Sequence, residues 1–187
     1  FLAVGVLDEA FPQGLDKVET RRRQRVRSAY DEWRDAVDAD DPQLAELHRE
    51  WVRLIFEELL DYDASVLKRR DAISVAVTYR EPSCGVEIRP DFVVMAGEKP
   101  RLLVTVYAPD TDLNAPVAGD AWAASPIERM IQLCRATSVR LGLVTDGERW
   151  SVVCVPADAG SSVGTWFARI WQQEPVTLQA FVSLLGV

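Results

Sequence analysis

The stretch RPDFVVMAGEKPRLLVTVYAPDTD, residues 89–112, decides the fold class of this chain. It holds two apolar runs, FVVM and RLLVTVYA, on either side of the turn-forming segment AGEKP. Short apolar runs that are rich in β-branched residues and bounded by Gly and Pro are typical of β-strands. The second run is more continuously apolar, which favours a central place in a sheet. We therefore predict two strands, VEIRPDFVVM (86–95) and RLLVTVYA (101–108).

The segment before this stretch predicts two helices and one more strand. Apolar residues recur every three or four positions from Arg21, and again over residues 42–60, which predicts a helical hairpin. In AISVAVTYR, residues 72–80, apolar and polar residues alternate as they do in a half-buried strand. Residues 1–20 lack a clean period and predict an irregular lead-in.

The segment after it predicts a helix, three strands and a final helix. SPIERMIQLCRATS (125–138) carries Ser125 and Glu128 in capping-box spacing at its start, which indicates a helix. VRLGLVTDGERWSVVCVP (139–156) predicts two strands joined by a turn at Asp146–Gly147. The order ends with a strand at TWFARIWQ (165–172) and a helix at TLQAFVSLLG (177–186).

This order is that of an α/β fold, in which a mixed central β-sheet is flanked by helices and preceded by an N-terminal helical hairpin. A chain of 187 residues is long enough to bury one core of this kind. We expect the lead-in and hairpin, residues 1–70, to pack on an α/β core formed by residues 71–187, as one compact unit.

The charge of the chain restricts how it can meet nucleic acid. Its net charge is −8 and its pI is about 4.8, which argues against a protein that coats DNA by charge alone. Two basic runs, RRRQRVR and KRR, are candidate DNA contacts, with solvated helix faces as the alternative. The candidate residues are Arg21, Arg22, Arg23, Arg25, Lys68, Arg69 and Arg70.

The cysteine and histidine content excludes several kinds of site. Cys84, Cys134 and Cys154 are odd in number and far apart, so we expect buried thiols in a cytoplasmic protein rather than disulfides or a zinc site. The single histidine, His48, is expected at a helix surface and cannot form a histidine metal cluster. No apolar run approaches the roughly 20 residues of a membrane helix, so we expect no membrane partner.

Acidic residues near the first of the two strands are candidate ligands of a divalent metal ion. Glu87 and Asp91 are four residues apart, so the two-residue period of a strand places them on one side. Glu57 or Glu58, late in the second helix, could add a third oxygen ligand. Hydrolysis of a phosphodiester by a metal-activated water needs such ligands. The alternative is that Asp91 only begins a strand after Pro90.

The second strand lacks the side chains that this chemistry requires. Its face offers Thr105, a poor ligand for a hard cation, and Tyr107, which carries no fixed positive charge. Asp110 and Asp112 follow the strand and could act as substitutes, although a loop holds ligands less rigidly than a strand does.

Together, RPDFVV, RLLVTVY and SPIERMIQLCRATSVRLGLVTDGERWSVV resemble the N-terminal region of large bacterial restriction–modification and phage-defence proteins. These include type IIG enzymes and related DNA methyltransferases such as those of DISARM-like systems. A more distant resemblance is to the N-terminal nuclease domain of type I restriction subunits, within the PD-(D/E)xK superfamily. LVTDGERW is similar to the TNG-x-x-W strand turn of this family. The resemblance implies a restriction endonuclease-like fold for the core formed by residues 71–187.

The resemblance also implies roles for individual residues. Asp91 matches the acidic residue of the PD element, and Glu57 or Glu58 could match the helix acid of the family. Thr105 and Tyr107 stand where the E-x-K pair belongs. A metal ligand and the lysine that positions the water are therefore missing, and the loss of either should be severe.

Three functions are compatible with the sequence. The first, which we expect, is a non-cleaving nuclease-like module with no cofactor of its own, docking DNA, a defence-system subunit or a downstream methyltransferase domain. The second is an active Mg²⁺-dependent DNA endonuclease with a rearranged site at Glu87, Asp91 and Asp110 or Asp112. The third is a protein–protein scaffold without nucleic acid contact, which the acidic pI favours.

Overall fold

The computed structural model describes residue 9 and residues 11–73 and 77–186, and the chain forms two compact units. One comprises Phe1–Asp63 with Trp166–Val187, and the other is Ala64–Thr165. We call the first the helical unit and the second the sheet unit. In the sequence prediction the single boundary lies at residue 70.

The central sheet is mixed and six-stranded. The described strands are β1 (Leu67–Arg69), β2 (Tyr79–Arg80), β3 (Glu87–Ile88), β4 (Phe92–Ala96), β5 (Lys99–Val106), β6 (Leu141–Thr145), β7 (Arg149–Cys154) and β8 (Ser162–Phe167). The sheet order is β1-β4-β5-β6-β7-β8, and β2 and β3 form a separate two-stranded sheet. β5 pairs with β6 in parallel, whereas β1–β4, β4–β5 and β6–β7 are antiparallel.

Four α-helices complete the described part of the chain. They are α1 (Thr20–Asp38), α2 (Leu44–Leu54), α3 (Pro126–Thr137) and α4 (Pro175–Leu185). The chain therefore has the predicted α/β fold, with helices flanking a mixed central sheet. Among the described residues, no helix combines the length and the apolar character that crossing a membrane requires.

The strand β5 is the centre of the sheet unit, as its apolar sequence predicts. It lies between β4 and β6 and is buried from Leu102 to Thr105. Because parallel neighbours need a crossover connection, the chain forms α3 between β5 and β6. α3 packs against the same sheet, and Met130 on α3 shares one core cluster with Leu103 on β5.

The predicted capping box fixes the start of α3. Glu128 N donates to Ser125 Oγ at 3.2 Å, and Ser125 N donates to the Glu128 carboxylate at 2.7 Å. Each bond satisfies a backbone N–H that the helix itself leaves without a partner. These hydrogen bonds hold the pKa of Glu128 below its ordinary value, so its carboxylate stays ionised near neutral pH.

In the helical unit, α1 and α2 form the predicted hairpin, and α2 continues into a π-helical turn at Ile55–Leu59. The rings of Trp33 and Trp51 stack between the two helices with centroids 6.0 Å apart. Trp33 Nε1 donates to His48 Nδ1 at 3.1 Å. The prediction of a surface histidine is therefore wrong, because the imidazole is buried as the acceptor of an indole N–H.

Strand geometry is present at the end of the predicted strand over residues 72–80. Ala72 closes a 3₁₀ turn, and strand geometry is present at Tyr79–Arg80. Residues 74–76 lie outside the described part of the chain, so the prediction for them stays untested.

The predicted strand over residues 86–95 is divided in two. β3 pairs with β2, and β4 belongs to the central sheet, with Arg89, Pro90 and Asp91 between them. Proline has no N–H to donate and restricts the residue before it, which explains the break. Glu87 and Asp91 therefore do not lie on one continuous strand.

Gly142→Ala is expected to destabilise the chain by about 1–3 kcal/mol, because β6 and α3 leave no room for a side chain there. A Cβ at residue 142 would lie 2.3 Å from Met130 Cγ and 3.1 Å from Cys134 Sγ. Urea unfolding measures the change. The matched control is Gly160→Ala, since a Cβ at residue 160 meets no atom within 4 Å. Equal losses in both variants would contradict this account of the packing.

Candidate functional site

A polar cavity of about 370 Å³ opens in the sheet unit beside the end of β5. Its volume lies within the roughly 300–1,000 Å³ that is usual for small-molecule sites. The lining residues are Arg70, Val86, Glu87, Ile88, Arg89, Asp91, Thr105, Val106, Tyr107, Asp120 and Arg129.

This cavity brings together the central residues of the sequence prediction. Asp91, which the resemblance matches to the acid of a PD element, lines it with Glu87, and Thr105 and Tyr107 line it from β5 and the residues just beyond. Arg70, predicted as a DNA contact, also lines it. The two residues at the expected positions of the E-x-K pair thus share one cavity with the carboxylate that they would assist.

Both carboxylate oxygens of Asp91 are held by neighbouring groups. Val106 N donates to Asp91 Oδ2 at 2.8 Å, and Arg70 Nη2 donates to Asp91 Oδ1 at 2.8 Å. The backbone of Asp91 is fixed as well, because its N–H donates to Val104 O and its carbonyl accepts from Arg70 N. Asp91 therefore joins β5 to the 3₁₀ turn that starts at Arg70.

Burial has the largest effect on the pKa of Asp91. It raises the pKa of the carboxyl above its ordinary value, while the Val106 N–H and the Arg70 guanidinium oppose that rise. The desolvation of this half-buried carboxylate thus outweighs the two favourable contacts. The guanidinium of Arg70 is the fixed positive charge beside Asp91, in the place where a metal-dependent site would need a cation.

The side chains of the cavity do not fit a metal centre. Asp91 already binds an arginine and a backbone N–H, and Thr105 supplies no carboxylate. Across residues 11–73 and 77–186, His, Cys, Asp and Glu form no group of three or more that could hold a metal ion. A hard divalent cation prefers several oxygen ligands at once, and the three arginines that line this cavity would repel it.

Thr105 is the most enclosed polar side chain of the cavity. Its residue is 5% exposed, and its Oγ1 makes no hydrogen bond within the described part of the chain. The buried position follows from β5, where alternation puts Leu103, Thr105 and Tyr107 on one face, directed toward the core beside α3. The Oγ1 atom is itself buried, so Thr105 would need a change of its χ1 rotamer before the hydroxyl could donate to or accept from a ligand in the cavity.

Tyr107 stays a neutral phenol at neutral pH. Burial raises the pKa of its hydroxyl above the ordinary value; Arg129 opposes that rise, and Asp91 and Asp120 add to it. The side chain packs against the core cluster of the sheet unit. Tyr107 therefore cannot supply the positive charge that a lysine would bring to this position.

Arg129 on α3 closes the cavity and was not predicted from the sequence. It is buried, and its guanidinium donates to Asp120 Oδ2 at 2.6 Å, to Trp122 O at 2.6 Å and to Ala124 O at 3.0 Å. It also lies over the Trp122 ring, 5.2 Å from the centroid. The bond from Arg129 holds the pKa of Asp120 below its ordinary value, so this carboxylate is ionised at neutral pH.

Signals for the arginine pairs of the cavity are weak in the sequence. Arg129 and Asp120 are nine positions apart, across a loop whose path the sequence does not determine. Arg89, which is paired with Glu87, adjoins the Pro-Asp element and could have been considered as a site residue.

Asp110 and Asp112, the candidate substitute ligands, do not line the cavity. Asp112 Oδ1 accepts from Asn114 N at 2.9 Å and lies 3.9 Å from Arg149 Nη1. Asp110 is exposed and has a positive φ of 60° in the loop after β5. Neither residue therefore adds a carboxylate to the surroundings of Asp91 in the cavity.

The helix acids and the first basic run lie in the helical unit. Glu58 is paired with Arg25, and Glu57 lies 3.9 Å from Arg53. Arg22 Nη1 donates to Leu59 O at 3.4 Å. Among the remaining predicted contacts of this run, Arg23 Nη2 donates to Thr20 Oγ1 at 3.4 Å and Arg21 is exposed.

Lys68 and Arg69 are positive charges without an acidic partner among the described residues. Lys68 Nζ donates to the neutral carbonyl of Ala64 at 2.9 Å, and Arg69 is exposed. Both lie on the edge strand β1, where Arg69 is opposite Phe92 in the register. Phe92 directly follows Asp91, so this basic strand runs beside the cavity.

The acidic charge of the chain is unevenly distributed between the two units. The sheet unit has 11 Lys and Arg residues and 12 Asp and Glu residues, a net charge of −1. The helical unit has 10 and 17, a net charge of −7. The acidity of the whole chain therefore belongs mainly to the helical unit and not to the surroundings of the cavity.

Comparisons of the chain with known protein families, with characterised proteins and with solved structures gave no significant match. The resemblance inferred from the motifs therefore stays a prediction, and the geometry of the cavity is the main ground for inferring a function.

Thr105→Val is expected to stabilise the chain by about 1 kcal/mol, because a buried hydroxyl without a partner is replaced by a methyl group of equal size. Urea unfolding of both proteins measures the difference in the free energy of unfolding. Thr137→Val on α3 is a matched control, since the Thr137 hydroxyl donates to Leu133 O at 2.7 Å. A clear loss of stability in Thr105→Val would show that the hydroxyl is satisfied.

Proposed function

We propose that the sheet unit is a nuclease-like module that docks DNA without cleaving it. The observation that carries this proposal is the state of Asp91, whose two carboxylate oxygens are bound by Arg70 and the Val106 N–H. In the same cavity, Thr105 and Tyr107 stand where the family resemblance implies a metal ligand and a lysine. With this set of groups, the site would lack the means to hold a metal ion and activate water.

The location of positive charge supports DNA as the docked molecule. Lys68 and Arg69 lie on the strand beside the cavity and have no acidic partner in the described ranges. The near-neutral sheet unit repels a polyanion much less than the net charge of the chain suggests. Phosphate contacts position a protein on DNA without reading its sequence, and two exposed cations suit that role.

The family resemblance supports a role within a larger system. We infer a module of a bacterial restriction–modification or phage-defence DNA methyltransferase, in which DNA docking assists a methyltransferase domain or a defence-system subunit. The rearranged endonuclease at Glu87, Asp91 and Asp110 is less well supported, because Asp110 does not line the cavity with the other two.

The chain is expected not to nick supercoiled plasmid, linear duplex or single-stranded DNA with Mg²⁺ or Mn²⁺ present, because no group in the cavity is free to hold the ion and position a water. Agarose gel analysis after long incubation measures nicking. Asp91→Ala is the matched control for contaminating nucleases. Metal-dependent nicking by the wild-type chain that disappears in Asp91→Ala would overturn the proposal.

DNA binding is expected to weaken steeply with salt, and the double variant Lys68→Ala/Arg69→Ala should lower the slope of log K against log salt by about two. Fluorescence anisotropy of a labelled duplex at several salt concentrations measures both quantities. Lys99→Ala/Arg101→Ala is the matched control. It also removes one lysine and one arginine, at the end of β5 that lies away from the cavity. Equal slopes for the two double variants would contradict the assignment of β1 to DNA.

A protein-binding scaffold is the second candidate function, and the net charge of −7 on the helical unit favours it. The same anisotropy measurement separates the two candidates. A chain that binds no DNA at low salt would support the scaffold and exclude DNA docking.

A further inference from the structure

We propose that the cavity receives a neutral nucleobase extruded from the docked DNA, with the Thr105 hydroxyl bound to the edge of that base. The inference rests on the proposed DNA docking and adds the class of ligand that the cavity takes. Three observations support it. The lining of the cavity has no net charge, the Thr105 hydroxyl is enclosed without a partner among the described residues, and the basic strand β1 lies beside the cavity.

The charges that line the cavity favour a neutral ligand. Three guanidinium groups face three carboxylates, so the lining has no net charge. The pairs are Arg70–Asp91, Arg89–Glu87 and Arg129–Asp120. Because this lining is neutral overall, neither a phosphate nor a metal cation gains a net electrostatic attraction that offsets the loss of its hydration.

The same pairs leave both donors and acceptors for a ligand. A guanidinium has five N–H groups and a carboxylate has about four lone-pair sites, so one ion pair does not exhaust either partner. Nucleobases carry donors and acceptors side by side on their edges, which is the pattern that such a lining can bind. This chemistry fits a base better than a ligand with acceptors alone.

Thr105 provides the independent observation that the cavity is built for a ligand. The residue is 5% exposed, and its buried hydroxyl makes no hydrogen bond among the described residues. Buried hydroxyl groups are normally paired, so an orphan group in the cavity wall is suited to a partner that enters the cavity, once rotation about χ1 brings the hydroxyl to the surface of that wall. A base edge can offer this hydroxyl either a donor or an acceptor.

The remaining walls can pack against the face of a base. Val86 and Ile88 contribute apolar residues, and Tyr107 adds an aromatic ring that is neutral at neutral pH. Enzymes and binding proteins that extrude a base hold it between apolar or aromatic surfaces while they read its edge. The cavity combines both kinds of surface.

The basic strand gives the DNA backbone a place beside the cavity. Arg69 is opposite Phe92, the residue after Asp91, and neighbouring strands lie about 4.8 Å apart. A phosphate that is bound by Arg69 would therefore lie close to a base in the cavity. Extrusion needs this arrangement, because the sugar–phosphate backbone remains on the surface while the base turns inward.

Duplex DNA with 2-aminopurine at a mismatched position tests the proposal, since a mismatch lowers the cost of extrusion. The fluorescence of 2-aminopurine increases when the base leaves the stack, and the anisotropy of a dye at the DNA end reports binding in the same sample. The wild-type chain should raise both signals. Thr105→Val should lower the extruded fraction about tenfold, as the loss of one hydrogen bond predicts, with anisotropy unchanged.

Each outcome of this experiment decides the question. Thr137→Val, which removes a hydroxyl away from the cavity, should behave as the wild-type chain does. A fluorescence rise that Thr105→Val leaves intact would overturn the inference, and so would anisotropy without a fluorescence rise, although DNA docking would stand. Absence of any anisotropy change would overturn docking and extrusion together. Tight binding of free 2-aminopurine riboside would assign the cavity to a soluble nucleoside and overturn extrusion.

Discussion

The structure of the sheet unit depends on how the Asp91 carboxylate is held. One oxygen accepts the Val106 N–H of β5 and the other accepts the Arg70 guanidinium, while the backbone of Asp91 bonds to Val104 and Arg70. A single residue thus links the edge of the sheet to its central strand. Burial makes this charge unfavourable, and the opposing contacts are what keep it in place.

This constraint also defines the chemistry that the cavity can support. A carboxylate that binds a guanidinium and an amide can still accept hydrogen bonds from neutral groups, whereas the adjacent guanidinium opposes the binding of a cation. Tyr107, which is a neutral phenol, and Thr105, which is uncharged, supply neither a carboxylate nor a positive charge to the cavity. The geometry supports recognition by hydrogen bonds and shape and gives no support to hydrolysis.

Local sequence signals predict part of this fold well, and long-range contacts explain the rest. The strand β5, the capping box at Ser125 and the hairpin around Asp146–Gly147 follow from neighbouring residues, and each is present. The clustering of Asp91 with Thr105 follows from strand order, so it too could be predicted. The pairing of Arg129 with Asp120 and the burial of His48 depend on partners that are 9 and 15 positions away. No local period encodes such pairs, and propensity alone cannot find them.

The absence of a side chain at Gly142 has a further consequence for the cavity. Met130 occupies the space against β6 that a Cβ would take, and Arg129 is its neighbour on α3. This close contact fixes the position of α3 on the sheet, and with it the place of Arg129 in the cavity wall. If the cavity receives an extruded base, as we propose, a wall that is preformed in this way would leave the opening of the base pair, and not rearrangement of the helix, as the slow step.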